Sequence, residues 1–163
     1  KVVKDANVQI SCNTSIGAYN VIRLPELIEE LWGLTERKVN LNPVLNNWCC
    51  VQILPDNIKA DIKQKTLDWY NNDTNKIKVK AIPTIINQLD KPHNPDHLNS
   101  FWKRCAFLDL NKSTTLFDHI PFFEELNHKS GHRYERFRDD FIKKSISKRS
   151  SSISSDLHSC LSH

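Results

Sequence analysis

The side chains of this 163-residue chain best suited to bond-making chemistry are its five cysteines and seven histidines. Cys12, Cys49, Cys50, Cys105 and Cys160 are odd in number and irregular in spacing, and neither CxxC nor CxxxCxxC occurs. Neither a zinc ribbon nor an iron–sulfur loop can be assembled from them. The same irregularity argues against a disulfide framework and for a reducing, cytoplasmic compartment. A nucleophilic Cys49 or Cys50 would need a basic neighbour or a helix start to depress its pKa. A helix start is expected nearby at Pro55, but no histidine is close in sequence, so both thiols are expected to be buried and structural. His93 and His97 stand four apart, as do His128 and His132, the spacing at which one helix can grip zinc. Pro95 and Gly131 interrupt the two pairs, and no metal site is expected from either.

A second cluster pairs aromatic with basic residues: His132-Arg133-Tyr134-Glu135-Arg136-Phe137-Arg138, with Phe141, Lys143 and Lys144 beyond. Aromatics interleaved with arginine can stack bases while guanidinium groups meet phosphates, so a noncatalytic nucleic-acid-binding or interaction module is the alternative reading of the chain. Against it, Tyr134, Phe137 and Phe141 also fall at helical spacing, which suits a core-facing stripe, and Asp139 and Asp140 dilute the positive field. The net charge is only +4, and a mixed-charge solvated helix is the favoured account of this segment. No apolar run approaches the roughly 20 residues that span a bilayer, so no membrane partner is expected.

The elements that would position these groups follow from periodicity. Val8, Ile10 and Cys12 alternate with Gln9, Ser11 and Asn13, predicting a strand with one face inward. Pro25 then leads a helix whose Leu24, Leu27, Ile28, Leu31 and Trp32 form one stripe, with Gly33 expected to close it. Val39-Asn40-Leu41-Asn42-Pro43-Val44 alternates again, and strand, helix, strand within about forty residues is a minimal parallel βαβ unit. Cys49 to Leu54 reads as a short strand or extended loop. Asp56 opens a second helix with Ile58, Ile62, Leu67 and Tyr70 inward and Lys59, Lys63 and Lys65 toward water. Helical stretches are predicted over Ile82 to Leu89, Pro95 to about Leu110 (carrying Leu98, Phe101, Trp102, Cys105 and Leu108), and Ile120 to Leu126. From Ser145 onward, scattered Ile146, Ile153, Leu157 and Leu161 among serines and lysines cannot offset a backbone ordering cost of roughly 1–2 kcal/mol per residue. The fold class expected is therefore α/β: strand, helix and strand over residues 1–72, a helical extension over 73–144, and a disordered Ser-rich tail over 145–163.

Two strings carry a resemblance. Asn13-Thr14 at a strand end, then Asn20, then the Pro-led helix rich in Leu and Glu, then Val39-Asn40-Leu41-Asn42-Pro43, resembles late strand–helix units of the partial (β/α) barrel of radical S-adenosylmethionine enzymes. Val51-Gln52-Ile53-Leu54-Pro55 before a Lys-rich helix, and Leu108-Asp109 through Phe117-Asp118-His119-Ile120-Pro121, resemble the C-terminal region of short twitch-domain members found in phage and environmental sequences. The likeness runs from about Val8 to Leu126. It implies a partial-barrel fragment, with S-adenosylmethionine and a [4Fe–4S] cluster as cofactors, in the host cytoplasm if the gene is a phage's.

The departures shape what that resemblance implies for function. The family's CxxxCxxC loop, whose thiolates hold the cluster, is missing, so the cluster ligands are absent from this chain. The glycine-rich cofactor-contacting segment is absent too. The first residues, Lys1 to Asp5, lack a start Met, and the expected partner is an N-terminal half of the same protein holding the cluster. There, reductive cleavage would give a 5′-deoxyadenosyl radical that abstracts hydrogen from an unknown substrate. This chain would be wall and scaffold, inactive alone, with no catalytic residue. The cofactor-facing residues carried over by the resemblance are the strand-end polar groups Asn13, Ser15, Asn40 and Asn42, whose amides and hydroxyl suit ribose hydroxyls or a small polar substrate. The bland account of the same residues is turn-making and satisfaction of loop backbone.

Overall fold

The computed structural model describes residues 12–110, 112 and 114–160, with side chains to residue 147. The chain divides into two compact units, residues 1–98 and 99–163. The first contains strand β1 (Cys12–Ile16), helix α1 (Leu24–Thr35), strand β2 (Val39–Pro43), a 3-10 turn at Val51–Ile53, helix α2 (Asp56–Tyr70), the short α3 (Asp73–Lys76), strand β3 (Val79–Lys80) and helix α4 (Ile82–Leu89). Helix α5 (Pro95–Asp109) begins in this unit and continues into the second, which then has α6 (Leu116–His119), α7 (Phe122–Lys129) and α8 (Arg133–Cys160).

The strands form a parallel sheet in the order β1-β2-β3, the order of the sequence. The alternation expected for the second strand is realised: Val39 and Leu41 are buried, Asn40 and Asn42 are not. Helices α1 and α4 pack on β2, and α2 packs on α1 and α4. Ile16, Val39, Leu41 and Val79 meet an aliphatic layer of Leu24, Ile28, Ile62, Ile82, Ile85 and Leu89, all buried. Each such side chain contributes roughly 1.5–3 kcal/mol by leaving water. Of the expected first strand, Val8 to Ser11 lie outside the described residues.

Several expectations need correction. Helix α1 does not stop at Gly33 but runs to Thr35, and Glu36 ends it with a left-handed φ of 52° and an N–H bonded to the Trp32 carbonyl. Gly33 has open space where a Cβ would sit, so the helix merely tolerates it. The buried stripe of α2 is Lys59, Ile62 and Thr66, displaced from the predicted Ile58, Leu67 and Tyr70. Lys59, expected in water, is 2% exposed: its stem is covered, and its ammonium pairs with Asp56 at 2.8 Å and the Lys91 carbonyl. Cys49 to Leu54 is turn and 3-10 helix rather than strand, and the third strand is Val79-Lys80 instead. Beyond residue 72, β3 pairs with β2 and α4 packs on β2, within the compact unit that ends at Leu98.

The second unit is built on aromatic side chains. Phe101 lies 4.7 Å from Trp102 and 4.9 Å from Phe123, and Phe117 lies 4.7 Å from Tyr134. On α5 the expected Leu108 is 38% exposed. Asp109 is buried in its place, because its Oδ2 accepts from the Leu116 N–H at 2.9 Å and the Tyr134 hydroxyl at 3.0 Å. Of the last predicted helix, Ile120 to Leu126, only the latter part is found, in α7. In the segment expected as tail, backbone helix is described as far as Cys160. No Gly or Pro falls between Arg133 and Cys160, and Asp139 and Asp140 stand four before Lys143 and Lys144, the spacing that supports a helix.

Candidate functional site

The four residues singled out by the sequence share one face of the sheet. Asn13 is opposite Asn40 and Ser15 opposite Asn42 in the β1–β2 register, and Lys80 is opposite Asn40 across β2–β3. Residues in register on neighbouring strands point to the same side, and alternate residues along a strand share that side. The row therefore comprises Asn13, Ser15, Asn40, Asn42 and Lys80. All are exposed except Asn40, which is partly covered, while the neighbours turned the other way, Ile16, Val39, Leu41 and Val79, are buried. Sequence reasoning missed Lys80. The alternation Lys78-Val79-Lys80 was its only signal, in a strand too short to read with assurance.

The loops after the strands are tied together beside this face. Asn20 Oδ1 accepts from the Gly17 N–H at 3.0 Å, and its amide donates to the Ser15 carbonyl at 2.9 Å. The Ala18 N–H donates to the Cys49 carbonyl at 2.9 Å, and Val44 N–H to the Ile16 carbonyl at 2.8 Å. Gly17 is required here: a Cβ on it would stand 2.5 Å from the Cys49 carbonyl oxygen. The carboxyl edge of the sheet, where parallel folds place ligands, is thus a fixed rim.

Beyond that rim Cys50 Sγ lies 3.4 Å from His97 Nδ1. The partner invisible in sequence is 47 residues away, in the first turn of α5, where Asn94 Oδ1 accepts from the His97 and Asp96 N–H groups and the Asn94 N–H donates to the Gln52 carbonyl. Cys50 is buried, and burial pushes the Cys49 thiol up, so neither meets the description of an exposed reactive thiolate. The Cys50–His97 bond joins the 3-10 turn to α5. On the outer layer, Glu29 takes two bonds from Lys78, at 2.7 and 2.8 Å, and one from Trp69 at 3.0 Å. The Lys78 ammonium and the indole N–H hold its carboxyl below the usual glutamate value. A cleft of about 540 Å³ between α2 and the end of α4 is lined by Asp56, Lys59, Lys63, Leu67, Leu89 and Asp90. Its charges are already paired, Lys59 with Asp56 and Lys63 with Asp90, so it offers little to a ligand.

In the second unit His128 and His132 come together although Gly131 breaks the helix between them, with Nδ1 and Nε2 3.3 Å apart. The other pair, His93 and His97, makes separate contacts: the His93 N–H with Asp56 and the His97 ring with Cys50. Among the described residues no group of three or more His, Cys, Asp or Glu side chains is placed to hold a metal ion. Tyr134 is buried and Phe137 and Phe141 are partly covered, while Arg136, Arg138, Lys143 and Lys144 are exposed. Among the described residues no helix is long and apolar enough to cross a membrane.

No known protein family, no curated protein and no solved structure matches this chain.

Proposed function

We propose that the first unit is a wall of a ligand-binding β/α structure, with the row Asn13, Ser15, Asn40, Asn42 and Lys80 turned toward the ligand. The observation that carries this reading is the inequality of the two sheet faces. A parallel sheet is normally covered on both sides. Here strands follow one another in sequence order, the helices cover the apolar face, and the opposite face carries amides, a hydroxyl and an ammonium. Consecutive right-handed crossovers place the helices on one side, the winding of a barrel and also of one half of a doubly wound sheet. We take the barrel winding because the opposite face is polar. In that winding the helix-free face looks into the lumen. A lumen packed as a core would be aliphatic, whereas Asn and Ser, with donors and acceptors, suit hydroxyls and a carboxylate.

This is the setting in which the resemblance to the radical S-adenosylmethionine enzymes has meaning. The row would contact S-adenosylmethionine or the substrate, and Lys80 would pair with a carboxylate of either. The [4Fe–4S] cluster would be held by a further segment bearing CxxxCxxC, since this chain supplies no such ligands. The role of the chain is wall and scaffold. The nucleic-acid reading of α8 keeps its exposed basic residues but loses its stacking platform, because Tyr134 is buried and Phe137 and Phe141 are partly covered.

Reading the frame upstream of Lys1 tests the enzyme assignment. A CxxxCxxC loop encoded within about one domain length is expected, and the continuous protein, purified anaerobically, should release 5′-deoxyadenosine from S-adenosylmethionine. An intact gene without that loop would overturn the assignment while leaving the polar face to be explained by another ligand.

A further inference from the structure

The corner between α7 and α8 holds a pair of imidazoles that the proposed function does not use. The His128 and His132 rings stand with centroids 4.5 Å apart at 86°, and the facing nitrogens, His128 Nδ1 and His132 Nε2, are 3.3 Å apart. Two imidazole nitrogens bound to one tetrahedral zinc at about 2.0–2.1 Å each stand roughly 3.3–3.4 Å apart. The separation in this corner is that of a hydrogen bond between the rings and also matches the bite of a metal chelate. Both rings are exposed, so rotation about their side-chain bonds can bring both lone pairs onto one ion.

The backbone that sets this spacing is heavily fixed. Gly131 has φ of 78° and His132 φ of 55°, a left-handed pair in which only the first is a glycine. Holding a histidine in that region costs free energy, and such positions persist where the surroundings determine them. The determinants are visible: the His132 N–H donates to the Asn127 carbonyl, Gly131 N–H to the His128 carbonyl, and Ser130 N–H to the Leu126 and Asn127 carbonyls. Asn127, almost wholly buried, accepts from the Tyr134 N–H at 3.0 Å and donates to both Glu135 oxygens at 2.8 Å. Glu135 in turn lies 3.8 Å from His132 Nδ1, the ring nitrogen turned away from His128. At that distance the carboxylate is a charged neighbour of the far nitrogen, and on closing to hydrogen-bond distance it would fix the tautomer of a ligating histidine and raise its basicity.

We propose that His128 and His132 form a binding site for a borderline divalent cation of the zinc or nickel type, with Glu135 orienting His132 and water completing the coordination. Imidazole ligands favour such ions over magnesium or calcium. With two protein ligands and open positions, the site binds reversibly and leaves room for a further ligand.

The test is a zinc titration of the full chain in a non-thiol reductant, read by the imidazole nitrogen resonances of each histidine. The expected result is one saturable event that shifts His128 Nδ1 and His132 Nε2 first. His128→Ala and His132→Ala each abolish it, and Glu135→Gln weakens it about tenfold with the same two signals still responding. Exposure of both rings lets either variant fold, which unchanged Tm without metal verifies. Zinc that shifts His97 or the other histidines first, that binds the His128→Ala,His132→Ala double variant as tightly as the parent, or that gives no saturable shift at these rings overturns the proposal.

Discussion

The two units of this chain solve the same problem, burying enough surface to hold a small structure, with different materials. The first uses aliphatic residues on a parallel sheet: Ile16, Val39, Leu41 and Val79 against Leu24, Ile28, Ile82 and Ile85. It too buries polar groups, Lys59, Thr66 and Asn75, while Glu29 pairs with Lys78 and Trp69 in the outer layer. The second has no strand among its described residues. It stacks Phe101, Trp102, Phe117, Phe123 and Tyr134, and keeps Asp109 and Asn127 buried as hydrogen-bond hubs. The difference teaches where each is vulnerable. A sheet unit fails when its loops are pried apart or its apolar face is thinned, whereas an aromatic unit with buried hubs fails when one ring or one hub is removed.

The largest effect belongs to the aromatic core. Phe123 is fully buried and touches three rings, Phe101, Trp102 and Phe122, so Phe123→Ala should cost about 3–5 kcal/mol in denaturant unfolding. A loss below about 1 kcal/mol would show that the aromatic stack is not what holds this unit. Next is the rim of the sheet. Gly17→Ala drives a Cβ into the Cys49 carbonyl, and a cost of about 1–3 kcal/mol is expected by the same measurement. In contrast, Gly33→Ala, with open space around the site on a helix, should be neutral or stabilising by up to about 1 kcal/mol.

One group in each unit should respond at opposite ends of the pH scale. Lys78, and behind it Trp69, lowers the Glu29 pKa below its usual 4.5, so the unfolded chain takes up that proton first. The stability from this group is present above the ordinary glutamate range and is lost as pH falls through the depressed value. In the second unit, burial and the Asp109 carboxylate push the Tyr134 hydroxyl far above its usual 10. There the unfolded chain ionises first, and stability present below pH 10 is lost as pH rises beyond it. Melting temperatures of Glu29→Gln and Tyr134→Phe across pH should each flatten one limb, acid for the former and alkaline for the latter. A limb left unchanged would remove that group from the account. The smallest effect concerns the open face, where Asn42→Ala should alter stability by no more than about 0.5 kcal/mol.

The same contrast explains what the sequence could reveal. Alternation in Val39-Asn40-Leu41-Asn42 and the stripe of α1 reflect local periods, and both were legible. So was Tyr134 as a core-facing residue, since it fell at helical spacing with Phe137 and Phe141. What escaped depends on distant partners. Lys59 is buried because Asp56 and the Lys91 carbonyl satisfy its ammonium, and Asp109 because Tyr134 reaches it from α8; neither pairing leaves a periodic trace. In the candidate site, the shared face of Asn40 and Asn42 is readable from the alternation of β2, whereas Lys80 sits on a two-residue strand that carries no such signal. The contact of His97 with Cys50 spans 47 residues and leaves no local signal, and the approach of His128 to His132 depends on the left-handed φ of Gly131 and His132.

The claim on which the functional account rests is that the polar row faces a bound ligand, and its most direct test is affinity for S-adenosylmethionine. The protein encoded by the continuous reading frame, handled anaerobically, would be compared with its Asn13→Ala,Asn42→Ala variant by calorimetric titration. The account predicts affinity at least tenfold weaker in the variant, with the melting temperature of the ligand-free protein unchanged. Equal affinity in the two proteins would contradict it.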